Sequence, residues 1–155
     1  MNEDLVKQFW QQFVSERPEL ANEDTPYKVE YFGDGEAMAR ELLDLIKAGE
    51  KTATCSLYRM YEYHDEKVAD EGSFNIVTDY QGNPEAIIRI TDIDIIPFRS
   101  IPEDIAEKEG EGDQSYEYWY EAHENFFSRE MDSISETFED DLPVVVEQFD
   151  LVYKQ

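Results

Sequence analysis

Residues 48–57 read Ala48-Gly49-Glu50-Lys51-Thr52-Ala53-Thr54-Cys55-Ser56-Leu57, and the change of character within this stretch decides the fold class. Upstream of it, Met38, Leu42, Leu45 and Ile46 recur at helical spacing, with Asp34 expected as the N-cap. Gly49 stands where a left-handed residue closes a helix. Downstream, residues 52–57 alternate as a strand does. Thr52, Thr54 and Ser56 share one face; Ala53, Cys55 and Leu57 share the other. The stretch is therefore a helix stop, a lysine, and a strand with a hydroxyl-lined face.

Working outward, residues 4–16 carry Leu5, Phe9 and Phe13 every four positions, with Val6 and Trp10 beside them, which predicts an N-terminal helix ended by Arg17-Pro18. A short strand is expected from Lys28 to Phe32. Residues 58–71 are polar, with one short helical turn expected. Strands are expected at 73–78 and 85–96, joined through Tyr80-Gln81-Gly82-Asn83-Pro84. Ser100 and Glu103 have the spacing of a capping box for a helix reaching Glu109. A further helix over about 115–131 places Tyr116, Trp119, Tyr120, His123, Phe126 and Phe127 at helical spacing, and Val144 to Tyr153 is expected as the last strand. Strands interrupted irregularly by helices predict an α+β fold, not a repeating βαβ one.

The chain has 155 residues, with neither repeats nor low-complexity linkers, so one domain spanning 1–155 is expected. Hydrophobic residues make up 41% and aromatic ones 14%, enough for a packed core despite the charge. That charge is lopsided: 38 acidic residues against 13 basic ones give a formal −25. Such a surface repels phosphate, which argues against non-specific coating of nucleic acid and against docking on an anionic membrane. The start, MNEDLVKQ, has no signal-peptide character, and Cys55 is the single cysteine, so a cytoplasmic location without disulfides is expected.

Chemistry-bearing stretches are few. The Gly49–Ser56 element is not a phosphate loop, because its spacing differs and it follows a helix instead of preceding one. Its plainest reading is a solvated lysine at a helix end. Glu107-Lys108-Glu109-Gly110-Glu111-Gly112-Asp113 suggests a calcium loop, but the EF-hand count puts Tyr118 where the bidentate glutamate belongs. His64 and His123 fit no zinc template, so no metal and no cofactor are expected. His123 reads as a satisfied, half-buried histidine, Cys55 as core, and the aromatic stripe as core.

Taken together, the chain resembles the ASCH domain family, in particular its longer bacterial members of the YhfF type. The resemblance rests on Phe32-Gly33-Asp34, Ala48 through Thr54, Ile95-Ile96-Pro97-Phe98, Glu109 through Asp113, Tyr118-Trp119 with His123 through Phe127, and Leu142 through Val145. It implies a PUA-like fold, a small β-barrel with helices around a cleft, and binding of RNA or nucleotides there. Some smaller members are amidohydrolases of N4-acetylcytidine that use a lysine, a threonine and a glutamate; others are described as ribonucleases. By the GxKxxT element the lysine and threonine fall on Lys51 and Thr54, and the glutamate falls on Glu109. Ser56, Arg59, Arg99 and Tyr118 are the expected substrate contacts.

The chemistry asks for a nucleophile, a base and an oxyanion donor. Thr54 suits the first role and Glu109 the second. Lys51 suits the third, since neighbouring carboxylates keep an ammonium charged. The expected ligand is a nucleoside-like small molecule or a short RNA. The alternative is an RNA-binding module, with or without metal-dependent ribonuclease activity, using Lys51, Arg59, Arg89 and Arg99. Residues 101–141 hold 15 acidic side chains against 2 basic ones, so RNA would have to avoid that region. A third reading makes the aromatic helix the face of a homodimer.

Overall fold

The computed structural model describes residues 2–155. The elements run α1 (Glu3–Glu16), β1 (Tyr27–Glu30), α2 (Glu36–Lys47), β2 (Ala53–Leu57), α3 (Tyr58–Tyr63), β3 (Phe74–Thr78) and β4 (Pro84–Pro97). A 3-10 turn (Phe98–Ser100) then leads to α4 (Glu103–Glu109), α5 (Tyr116–Ser133) and β5 (Pro143–Lys154). The strands form one sheet in the order β1-β3-β4-β5-β2, parallel only between β1 and β3. This is the α+β architecture expected. Among the described residues, the edge strands β1 and β2 are not bonded to each other, so the sheet is not a closed barrel. It curls toward one, because Glu30 of β1 and Thr54 and Ser56 of β2 line the same cleft. Register shifts near Ile87/Ile88 and Ile90/Asp92 in the long β4–β5 ladder supply local bends.

Three apolar clusters hold the helices on this sheet. α1 buries Val6, Phe9, Trp10 and Phe13 against Phe74, Ile76 and Ile87. Leu5 lies outside that face and is exposed, since the buried stripe runs through Val6 instead. α2 buries Leu43 and Ile46 against Ile88, Ile90 and Phe149. α4 and α5 bury Ile105, Trp119, Phe127 and Met131 around Phe98, Leu57 and Val144. The aromatic stripe of α5 is thus largely core, each fully buried ring contributing on the order of 1.5–3 kcal/mol.

Two helix starts differ from expectation. Gly35, in extended backbone, precedes α2, and no side chain caps it, so Asp34 is not the cap. The Ser100–Glu103 capping box does not form. Pro102 holds Ile101 in the extended region (ψ 126), so the helix begins only after the proline and Ser100 ends the 3-10 turn. The cap that does form is Ser115, whose hydroxyl accepts from the Tyr118 amide at 3.1 Å.

The end of α2 is as expected. Gly49 is left-handed (φ 77), the Glu50 amide bonds to Leu45 O and the Gly49 amide to Ile46 O, both at 3.0 Å. This turn aims Lys51 inward, and the Thr52 amide then bonds to Lys108 O at the end of α4. Gly110 completes the junction: it is left-handed (φ 70), and a Cβ there would sit 2.5 Å from Glu50 O. Gly110→Ala is expected to lower stability by at least about 2 kcal/mol through backbone strain and overpacking, read from urea midpoints. A loss under about 0.5 kcal/mol would mean that the junction yields freely.

Candidate functional site

The junction of α2, β2 and α4 buries a charged cluster. Lys51 is 1% exposed, and its ammonium donates to Glu109 Oε1 at 3.1 Å and to Glu111 Oε2 at 3.2 Å. Glu109 is also 1% exposed; its Oε2 accepts from the Trp119 indole and lies 2.8 Å from His123 Nε2. His123 Nδ1 is 2.9 Å from Trp119 O. Both ring nitrogens therefore face acceptors, and only the doubly protonated imidazolium satisfies both.

The electrostatics agree with this geometry. Burial pushes the Lys51 ammonium toward neutrality, but the Glu109 and Glu111 charges outweigh it and hold its pKa above the ordinary value. Burial opposes ionisation of Glu109 as well, yet Lys51 and His123 hold that carboxyl well below the usual range. His123 is disfavoured as a cation by burial and raised by the Glu109 charge, with a net upward shift. Two cations face two carboxylates, so the cluster is balanced. Glu109, Glu111 and His123 are grouped closely enough to suggest a cation site. An imidazolium has no lone pair to give, however, and Lys51 already occupies the carboxylates.

This cluster forms one wall of a cleft of about 240 Å³, somewhat below the roughly 300–1,000 Å³ of typical ligand pockets. Thr54 and Ser56 line it from β2, on the hydroxyl face expected, and Ser56 Oγ is 3.0 Å from the Tyr61 hydroxyl of α3. Phe32, Met38 and Phe126 supply apolar lining. Lys51, Thr54 and Glu109 all line this cleft. Lys51 precedes β2, so the alternation that would set it opposite Thr54 does not apply.

The other expected contacts lie elsewhere. Arg59 forks onto Glu136 at 2.7 and 3.0 Å, outside the cleft. Arg99 follows β4, is exposed, and faces Asp140 at 3.6 Å. Tyr118 is 48% exposed, its ring lying over Gly112. With Arg89 over the Phe74 ring and Lys51 buried, the four basic candidates form no patch.

What the sequence reading missed is the acidic wall. Glu30, Glu130 and Glu147 also line the cleft. Burial alone raises Glu130 to about 6. Burial raises Glu30 to about 7, with Glu147 and Glu66 adding and Lys28 opposing, while Asn75 Nδ2 donates to its carboxylate. Because this folded value exceeds the unfolded 4.5, stability from Glu30 is lost as pH rises from about 4.5 to about 7. Glu30→Gln should therefore match the wild type near pH 4.5 and exceed it at pH 8 by about 1–3 kcal/mol. Urea titrations at both pH values check this; an equal effect at both would remove the ionisation argument.

The comparisons with known proteins fit the geometry. No helix among the described residues is long and apolar enough to cross a membrane, and none of the curated proteins matches the chain. The crystal structure of an ASCH domain from Lactobacillus crispatus JV V101 aligns with a TM-score of 0.90 and 37% identity, over 97% of this chain and 95% of that one. A crystal structure of a protein from Enterococcus faecalis V583 aligns at 0.85 and 35%, over 96% and 88%. The hypothetical protein PH0355 shares the fold at 0.53 and 18% identity, over 81% and 97%. The family model for the ASCH domain matches residues 28–153, a span that holds the Lys51 junction, the hydroxyl strand and the acidic wall alike, and the chain belongs to the ASCH domain family.

Proposed function

We propose that the cleft binds a nucleoside-like small molecule and hydrolyses an amide on it, with N4-acylated cytidine as the substrate class. The observation that carries this reading is the meeting of Lys51 and Glu109, 58 positions apart in sequence, as a buried pair at a cleft that Thr54 also lines. In this reading Thr54 is the nucleophile and the Lys51 ammonium steadies the oxyanion that forms on the acyl oxygen. Glu109, saturated by Lys51, Trp119 and His123 and strongly acidic, is better suited to fixing those cations than to accepting a proton. The five carboxylates of the lining favour a neutral ligand rich in hydrogen-bond donors over a phosphorylated one.

The test is incubation with N4-acetylcytidine, following cytidine and acetate, alongside thermal-shift titrations with cytidine, cytidine monophosphate and a 20-nucleotide RNA. Turnover of the acylated nucleoside is expected, with stabilisation by cytidine, less by the monophosphate, and none by the RNA at physiological salt. Absence of both turnover and nucleoside binding removes the reading. Tight, salt-sensitive binding of the RNA would replace it with the RNA-module reading, since the salt slope counts neutralised phosphates.

A further inference from the structure

With Glu109 saturated, the proposed reaction lacks a proton acceptor. Glu147 stands directly opposite Thr54 in the β2–β5 register, so the two side chains share one face of the sheet as nearest cross-strand neighbours. Glu147 is 8% exposed and lines the cleft, yet no hydrogen bond or ion pair among the described residues holds its carboxylate. The Thr54 hydroxyl is likewise without a hydrogen-bonding partner among the described residues. Two unpartnered polar groups thus face one cleft from adjacent positions. Glu30, Tyr61 and Glu147 also line a second cavity of about 270 Å³, together with Lys28 and Lys67.

We infer that Glu147 is the general base and acid of the Thr54 reaction, an inference that rests on the amidohydrolase reading. Glu147 takes the Thr54 proton as the oxygen bonds to the acyl carbon and the carbonyl electron pair moves onto oxygen beside Lys51. Collapse of that oxyanion breaks the C–N bond, and the departing amine takes the proton from Glu147. Water then loses a proton to Glu147 and attacks the threonine ester. The acid leaves, and Thr54 recovers its proton. The sum is amide plus water giving amine plus carboxylic acid.

The groups around Glu147 suit a proton carrier. Burial raises its pKa and Lys28 of β1 opposes. Glu30 of β1, Tyr61 of α3 and Glu66 beyond α3 also face this region, and β4 offers only Ile93 opposite it. Lys51, before β2, is held by Glu109 and Glu111.

The test uses the full chain and N4-acetylcytidine, with Glu147→Gln, Glu147→Asp and Lys28→Gln. Glu147→Gln should lower kcat by about 100-fold or more while leaving cytidine affinity within about threefold, and should abolish the acidic limb of the pH–kcat profile. Glu147→Asp should recover part of the rate. In Lys28→Gln, which retains Glu147, the limb should move to higher pH, because the cation that favours the Glu147 carboxylate is gone; this measurement stands even if Glu147→Gln folds poorly. Wild-type turnover with a Glu147→Gln rate within fivefold and the limb intact overturns the inference alone, as does a limb unmoved in Lys28→Gln. A wild type without turnover overturns the amidohydrolase reading and the inference with it.

Discussion

Truncating Lys51 to alanine is expected to cost about 3–5 kcal/mol of folding stability, because it leaves His123 as the one cation facing Glu109 and Glu111, with a void beside them. Lys51→Met should cost less by filling the volume, and Lys51→Met combined with Glu109→Gln should cost less than the two single effects added. Urea unfolding of the cycle reads this directly. The sign with pH follows from Glu109: its carboxyl is held below its unfolded value, so the stability it confers is present above about pH 4.5 and lost as pH falls. In Lys51→Ala much of that acid dependence should disappear. A loss below about 1 kcal/mol would show that water reaches the pair and screens it. The size of the effect also governs how activity is tested, since a Lys51 variant without turnover is informative only at a temperature where it is folded.

The local half of the architecture was legible in sequence. The stop at Gly49 and the alternation at 52–57 are short-range signals, and the chain obeys them. The capping box at Ser100 was also short-range, but Pro102 overrode it two residues on. The site divides in the same way. Lys51 and Thr54 were found through one contiguous element and Glu109 through the family's acidic turn, whereas His123 was set aside as merely satisfied. It is satisfied, but by the very carboxylate that anchors Lys51.

Glu30 and Glu147 were missed because they come together only through the curl of the sheet, which no local spacing encodes. One signal was there to use: Glu147 shares strand parity with Val145 and Phe149, an apolar set in which a carboxylate has no solvated place. For Arg59, Arg99 and Tyr118, residue type and local sequence do not say which way a side chain faces. Each turned to a nearer partner, Glu136, Asp140 or Gly112.

Thr54→Ala should have the opposite profile to Lys51→Ala: little change in stability and the largest loss of turnover. The hydroxyl has no hydrogen-bonding partner among the described residues, and the side chain is only half-buried, so its removal should cost no more than about 1 kcal/mol. If the oxygen is the nucleophile, kcat for N4-acetylcytidine should fall at least about 1,000-fold while cytidine binding stays near wild type, because the bond it makes belongs to the transition state. Thr54→Ser keeps the oxygen and should retain measurable turnover with a faster-rotating side chain. Thr54→Val keeps the shape without the oxygen and should be as inactive as alanine. Single-turnover kinetics with calorimetric titration of cytidine separate the two effects. Suppose instead that alanine, valine and serine variants all turn over at the wild-type rate. Water would then attack the amide directly, and the chemistry of the cleft would lie with the Lys51 ammonium and a carboxylate, with Thr54 reduced to lining. A fall in kcat/KM matched by weakened binding, with kcat unchanged, would make Thr54 a recognition group, because uniform binding changes KM and leaves kcat alone.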